Sequence, residues 1–323
     1  MARVSSTEDA AASATRFPWG HHDFQLPIPA PRKMTGPQRF TVRHVSVYRY
    51  SEPVNFGEHR MMFRPRSSHD LRLVTTQLRI TPTPVRLYWL HDVFDNSVAV
   101  ATFADQAAEL RFESEVTLEH FEAPLPDYSL ERYACTYPFA YTNDEASDLV
   151  NARNRQYPDP DVDAWAQCFL EPGGSTGTLS LLRSMTQAIK RDFMYVRRTE
   201  KGVQRPAETL QARSGSCRDF AVLMMDAVRS LGLAARFVSG YIFVPDHDTT
   251  RGGGATHAWL QIYLPGAGWV DFDPTNSIVG NRHLIRVAVA WNHQQALPLW
   301  GTWSGASHSF NSLEVEVSVT EQY

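Results

Sequence analysis

The sequence has few cysteines and no long apolar run, and both absences limit what the protein can be. Its 323 residues include three cysteines, Cys135, Cys168 and Cys217, which are odd in number and far apart. That usage argues against a disulfide framework and indicates a reducing, cytoplasmic setting. No stretch approaches the roughly 20 consecutive apolar residues of a membrane-spanning helix, and the N-terminus lacks the apolar segment of a secretory signal. We therefore expect a cytoplasmic protein without a membrane partner.

A strong excess of charge is absent as well. The formal net charge is −4, so the composition gives no reason to expect a nucleic acid as partner. The chain has no Cys-x-x-Cys or His-x-x-x-His pair and no glycine fingerprint of a nucleotide-binding loop. We expect no metal and no cofactor, and the sequence leaves the oligomeric state open.

Composition and periodicity divide the chain into three regions. Residues 1–38 are rich in Ala, Ser and Pro and are interpreted as an N-terminal extension. Residues 39–125 contain several β-branched and aromatic segments separated by turn signals, and the first strand is expected to end at Ser51-Glu52-Pro53. This second region is predicted to be an antiparallel β-sandwich domain.

The third region, residues 126–323, mixes helical and strand patterns, which makes the whole chain an α+β protein. A helical apolar stripe runs from Thr178 to Phe193, and a second predicted helix runs from Cys217 to Leu231. Strands follow, among them His257 to Leu264. The alternating segment from Leu313 to Val319 is predicted to pair with a sheet formed earlier in the chain.

Cys217 is a candidate functional residue because of its position. It follows a turn that contains Gly215 and opens an apolar helix, and Ser216 and Asp219 have the spacing of a capping box. Unpaired amides and the helix dipole at a helix start lower the pKa of a thiol, and the same amides can bind an oxyanion. The alternative for any lone cysteine is a small buried hydrophobe, and that is the expectation for Cys168.

One histidine and two aspartates downstream suit a base and the group that orients it. His257 begins a predicted strand, whereas most of the 12 histidines are expected to be structural or exposed. Asp273 ends the next strand, and it lies as far from a turn centred near residue 265 as His257 does, so the two should meet at one end of a hairpin. Asp271 shares the face and is the rival orienter. An aspartate before a proline also commonly serves a turn.

These segments resemble those of the bacterial transglutaminase-like proteins, a family often described as candidate cysteine proteases. The resemblance covers about residues 40–320 and includes a β-rich region ahead of the core. It is carried by Ala-Arg-Ser-Gly-Ser-Cys-Arg-Asp-Phe-Ala at 212–221, Leu-Gly-Leu-Ala-Ala-Arg-Phe-Val-Ser-Gly-Tyr at 231–241, His-Ala-Trp at 257–259 and Gly-Trp-Val-Asp-Phe-Asp-Pro-Thr-Asn at 268–276.

The resemblance implies a papain-like, transglutaminase-like catalytic core with a Cys-His-Asp triad. Its positions match Cys217 as nucleophile, His257 as base and Asp273, the aspartate before Pro-Thr, as orienter. Two departures stand out. The family often has glycine where this chain has Asp271, and the segment Trp291-Asn292-His293-Gln294 replaces the usual Gly-Arg-Asp-Tyr.

The implied reaction is acyl transfer from an amide bond of a peptide or protein substrate. Hydrolysis, as in a thiol protease or amidase, is favoured because bacterial members of the family are commonly regarded as hydrolases. Two alternatives stay open: a transamidase that joins glutamine side chains to amines, and a non-catalytic interaction protein that retains the fold.

Overall fold

The computed structural model describes residues 36–122, 130–197, 202–245 and 254–322, so most of the predicted extension lies outside the described residues. The strands are β1 (Gln38–Met61), β2 (Leu71–Thr81), β3 (Arg86–His91), β4 (Ser97–Thr102), β5 (Ala107–His120), β6 (Thr136–Tyr137), β7 (Thr176–Gly177), β8 (Met194–Tyr195), β9 (Ser214–Gly215), β10 (Ala235–Ile242), β11 (His257–Leu264), β12 (Gly268–Asp273), β13 (Ile278–Val279), β14 (Leu284–Ala290), β15 (Leu299–Ser304) and β16 (Phe310–Gln322). The helices are α1 (Asn143–Asp148), α2 (Val150–Arg153), α3 (Pro160–Gln167), α4 (Thr178–Asp192), α5 (Pro206–Ala212) and α6 (Cys217–Ser230).

The first layer of strands is organised around β1, which is 24 residues long. The first part of β1 pairs antiparallel with β5 and β16, and its last part pairs with β4 and β15. The prediction that the strand ends at Ser51-Glu52-Pro53 is wrong. The ladder to β5 shifts between Arg49 and Val54, so Pro53, which has no amide hydrogen, lies where no ladder bond is needed.

The two parts of this layer face each other as a sandwich. Leu110 and Phe112 of β5 belong to the same buried cluster as Ala99 and Ala101 of β4, although β4 and β5 are not paired. The alternation of buried and less buried residues along β5 supplies the apolar face that this packing needs. The predicted antiparallel sandwich is confirmed.

A second antiparallel sheet has the strand order β13-β12-β11-β10-β14. Helix α6 is buried against one face of this sheet, where Ala258, Leu260 and Ile262 of β11 join its apolar core. Trp259 of β11 packs instead into a separate apolar cluster with Val238 of β10 and Leu284 of β14. The helix and the sheet together determine where the predicted site residues lie.

The second sheet also packs against the first layer. Tyr241 and Ile285 share a buried cluster with Phe40 of β1 and Val317 of β16. The prediction that the last strand pairs with an earlier sheet is confirmed, because β16 runs antiparallel to β1 from Arg39 onward. The pairing of β15 with β1 was not foreseen. The predicted boundary near residue 125 falls within residues 123–129, outside the described residues, and stays a prediction.

Candidate active site

Cys217 is the first residue of α6, and the chain before it is fixed by the side chain of Asp219. The Asp219 carboxylate accepts hydrogen bonds from the amide and the hydroxyl of Ser216, each at 2.8 Å, and from the amide of Gln204 at 2.7 Å. A Cβ at Gly215 would lie 2.8 Å from the Cβ of Asp219, so only glycine fits there. The predicted capping box is present, and it holds the thiol at the positive end of the helix.

The surroundings of Cys217 favour its thiolate although the residue is buried. Burial alone would raise the pKa of the thiol. The imidazole of His257 lowers the pKa of the thiol, and so do the Arg218 guanidinium and the backbone amide of Ala258. The net result is a pKa below the ordinary value, which is the condition for a nucleophilic cysteine.

His257, at the start of β11, is held by Asp273. Its Nε2 atom lies 2.8 Å from the Oδ2 atom of Asp273, and both side chains are fully buried. A carboxylate only accepts hydrogen bonds, so Nε2 carries the proton. The other ring nitrogen, Nδ1, is buried and makes no hydrogen bond to a nitrogen or oxygen atom of the described chain. Burial alone would lower the pKa of the imidazole, but Asp273 and then Cys217 raise it.

Asp273 is ionised and tightly held. Its Oδ1 accepts the amide of Thr275 at 2.9 Å, and its Oδ2 accepts the side-chain amide of Asn276 at 2.8 Å. Burial alone would raise the pKa of this carboxyl, but the His257 ring and these hydrogen bonds hold it below the ordinary value. Asp273 therefore both stabilises the turn after β12 and contacts the imidazole.

Asp271, the rival orienter, does not contact His257. Its Oδ1 accepts a hydrogen bond from the indole Nε1 of Trp259 at 2.6 Å. The hairpin register places Leu260 opposite Phe272, so the turn is centred at residue 266, one position later than expected. Asp273 is therefore the diagonal neighbour of His257 rather than the residue directly opposite. The structure brings Cys217, His257 and Asp273 together and leaves Asp271 to a different contact.

Sequence reasoning missed three contributors to the site. Trp259 stacks on His257 with ring centroids 5.8 Å apart and an interplanar angle of 26°. Asn276 steadies Asp273, and Arg218 adds positive charge beside the thiol. The i, i+2 spacing of His257 and Trp259 in a strand was a usable signal, because such residues share a face. No local pattern indicated Asn276.

The other two cysteines lie at the surface. Cys135 and Cys168 are both exposed, so the expectation that Cys168 is buried is wrong. Helix α3 ends at Gln167, and the Cys168 thiol donates to the carbonyl of Ala164 at 3.2 Å instead of entering the core. Within the described ranges, no cluster of three His, Cys, Asp or Glu side chains is placed to hold a metal ion.

The segment that departs from the family lies close to the start of α6. His293 is buried, with its ring 6.2 Å from that of Phe237 on β10. Its pKa is lowered by burial first and then by the charge of Arg218.

In the described part of the chain, no helix combines the length and apolar character that crossing a membrane requires.

Two family models match the chain. The bacterial transglutaminase-like N-terminal region matches residues 40–119, and the transglutaminase-like superfamily core matches residues 172–274, a span that contains Cys217, His257 and Asp273. An uncharacterised protein of Mycobacterium tuberculosis is 27% identical over 307 residues, which cover 91% of this chain and 96% of that protein. A Mycobacterium leprae protein is 35% identical over 116 residues, which cover 35% of this chain and 40% of that protein.

The fold has a solved counterpart. A candidate cysteine protease from Cytophaga hutchinsonii superposes with a TM-score of 0.68 at 17% identity, covering 90% of this chain and 93% of that one. Because that likeness covers most of both chains, it supports the α+β, papain-like description of the fold. The chain therefore carries a core of the transglutaminase-like superfamily preceded by the bacterial transglutaminase-like N-terminal region.

Proposed function

We propose that the protein is a cysteine-dependent enzyme that transfers acyl groups from amide bonds. Cys217 is the nucleophile, His257 the general base and acid, and Asp273 the orienter of the imidazole. The observation that carries this proposal is the fully buried 2.8 Å contact between His257 Nε2 and Asp273. That contact leaves Nδ1 for a thiol whose pKa the imidazole lowers.

The reaction proceeds through a thioester. The Cys217 thiolate attacks the amide carbonyl, so a C–S bond forms and the carbonyl π electrons move to oxygen. Backbone amides at the start of α6 stabilise this oxyanion. The intermediate then collapses, the C–N bond breaks, and the His257 imidazolium gives its proton to the leaving amine. A second nucleophile, deprotonated by His257, attacks the thioester and releases Cys217.

The second nucleophile decides the class of enzyme. Water makes the protein a peptidase or amidase, and an amine makes it a transamidase. We favour water as the second nucleophile, because the Cytophaga hutchinsonii protein with this fold is described as a candidate cysteine protease. The substrate in this proposal is a peptide or protein amide, and the location is the cytoplasm, as the cysteine usage suggests.

Labelled glutamine peptides and a peptide library, each supplied with and without a primary amine, separate these outcomes. Wild type is expected to release ammonia or cleaved peptide, and Cys217→Ala is expected to release neither. Cys168→Ala is the matched control, because it removes an exposed thiol and should leave activity unchanged. Amine incorporation that exceeds ammonia release would identify a transamidase. Identical results for wild type and Cys217→Ala would contradict the enzymatic proposal and favour a non-catalytic interaction protein.

A further inference from the structure

We infer that Asp271 is a positioning residue, which holds the Trp259 indole against the His257 imidazole and so keeps the imidazole aligned with Cys217. The inference rests on the proposed acyl-transfer function and deepens it. Asp271 stands where the family often has glycine, so this is a property of the present chain and not of the family pattern.

The first step in the argument is the contact between the two rings. Trp259 and His257 are stacked, with centroids 5.8 Å apart and planes 26° from parallel. Trp259 is fully buried. In the described chain, the His257 ring makes one hydrogen bond to a nitrogen or oxygen atom, from Nε2 to Asp273. A single hydrogen bond leaves the ring able to rotate about the line that joins it to Asp273. The flat face of the indole opposes this rotation.

The second step is what fixes the indole. A Cβ on Gly240 would lie 2.8 Å from the Cη2 atom of Trp259, so the indole rests directly on the backbone of β10. Val238, Ile242 and Leu284 surround it with apolar side chains. These apolar contacts confine the indole but give its N–H group no partner. The 2.6 Å hydrogen bond from its Nε1 atom to Asp271 does so.

The third step is how a buried carboxylate is kept in place. Asp271 lies opposite Gln261 in the hairpin, and the Nη1 atom of Arg286 lies 3.9 Å from its Oδ2. The Nη2 atom of Arg286 in turn donates to Asp70 at 3.0 Å. Asp70 immediately precedes β2, so a chain of polar contacts connects the N-terminal strand layer with the indole and, through it, with His257.

Loss of the Asp271 acceptor has a defined consequence for the thiol. The indole N–H would be buried without a partner, and the ring would tilt to recover a hydrogen bond. The imidazole that stacks on it would then interact less well with Cys217. Since His257 is one of the groups that lower the pKa of Cys217, the thiol would titrate at higher pH. Small displacements of this kind cost up to about 100-fold in rate.

The experiment measures the rate of Cys217 alkylation by iodoacetamide between pH 5 and 9, which requires no substrate. In Asp271→Ala we expect the rate at pH 6 to fall about tenfold, equivalent to a shift of about one unit in the pKa of the thiol. Asp271→Asn keeps an oxygen that accepts the indole N–H, so it should stay within about twofold of wild type. If the charge of Asp271 mattered instead of its accepting oxygen, both variants would lose reactivity.

Trp259→Phe provides a second variant and completes a double-mutant cycle with Asp271→Ala. It keeps a ring against His257 but removes the hydrogen bond that anchors the ring to Asp271, so the ring is no longer fixed and the shift seen in Asp271→Ala should recur. Adding Asp271→Ala to Trp259→Phe should then change the pH profile no further. Additive effects, or an unchanged profile in Asp271→Ala, would overturn the inference while the proposed function stands. If Cys217 of the wild type does not react at low pH, both the positioning role of Asp271 and the acyl-transfer function are contradicted. If the pH profile shifts in Asp271→Ala but the wild type turns over no amide, only the acyl-transfer function is contradicted.

Discussion

Burial and charge act in opposite directions on the Cys217 thiol. The residue is 7% exposed, and burial disfavours the thiolate, whereas His257 and Arg218 favour it. The net lowering of the pKa has a testable consequence, because most exposed thiols are protonated at mildly acidic pH.

At pH 6 we expect iodoacetamide to modify Cys217 faster than Cys135 or Cys168, although the latter two are exposed. Peptide mapping by mass spectrometry after timed labelling measures all three. His257→Ala is the control and should remove the preference at pH 6. Equal labelling of the three residues at pH 6 in wild type would refute the activated thiolate.

The His257–Asp273 pair should make stability depend on pH in a specific window. The pKa of Asp273 is lowered, so its contribution is present above the unfolded value of about 4 and lost as the pH falls. The pKa of His257 is raised, so its contribution is present below about 6.5 and lost as the pH rises through the folded value. The thermal midpoint of wild type should therefore exceed that of Asp273→Asn most between about pH 4 and 6.5. A difference that does not vary with pH would contradict this assignment.

Much of the site could be predicted from the sequence at the residue scale, and one choice could not. The helix start located Cys217, and the hairpin located His257 together with two aspartates. Strand periodicity places Asp271 and Asp273 on the same face, so it cannot separate them, and the resemblance to the family was needed. The i, i+2 spacing puts Trp259 on the same strand face as His257, but the residues of β10 and β14 that hold the indole there are distant in the sequence.

At the scale of elements, Gly240 lies where the sheet leaves no room for a side chain. A Cβ there would lie 2.2 Å from the carbonyl oxygen of Ile285 as well as 2.8 Å from Trp259. The oxygen belongs to the paired strand β14 and cannot move aside. We expect Gly240→Ala to destabilise the protein by about 1–3 kcal/mol through overpacking, measured by urea unfolding. Gly174→Ala is the control, since its nearest neighbour is a flexible Glu171 oxygen 4.0 Å away, and it should have little effect.

The regular elements with strong patterns were predicted well. Helix α4 ends one residue before its predicted end, α6 ends at Ser230 before the positive-φ Gly232, and β11 has the predicted bounds. The error at the end of β1 came from a weak local signal. The strand continues through Pro53 because the ladder to β5 shifts there and needs no amide hydrogen from that residue.

At the scale of the whole molecule, β16 connects the two strand layers. Val317 is buried among residues of both, including Phe40 and Tyr241. We expect Val317→Asp to destabilise the protein by about 2–5 kcal/mol, because it places a charge in an apolar cluster. Ser318→Asp, one position along on the exposed face, should be nearly neutral. Thermal unfolding of the two variants tests this, and equal midpoints would show that β16 is not part of the core.

The global architecture was only partly accessible from the sequence. The α+β class and the sandwich follow from the order of the strand and helix patterns. The alternation in β16 indicated a strand, but neither its partner nor the addition of β15 to β1 is encoded locally, since both pairings span more than 200 residues. The domain boundary and the cytoplasmic location stay predictions.

The pairing of β1 constrains how the polypeptide can reach its native state. Residues 38–61 leave the ribosome early, yet two of their neighbours, residues 299–304 and 310–322, are made some 240 residues later. Until then, β1 has backbone groups that await their partners, and such open edges invite pairing between molecules. Expression of the N-terminal layer by itself should therefore yield insoluble material, whereas supplying residues 299–322 on a tether to the same fragment should restore solubility.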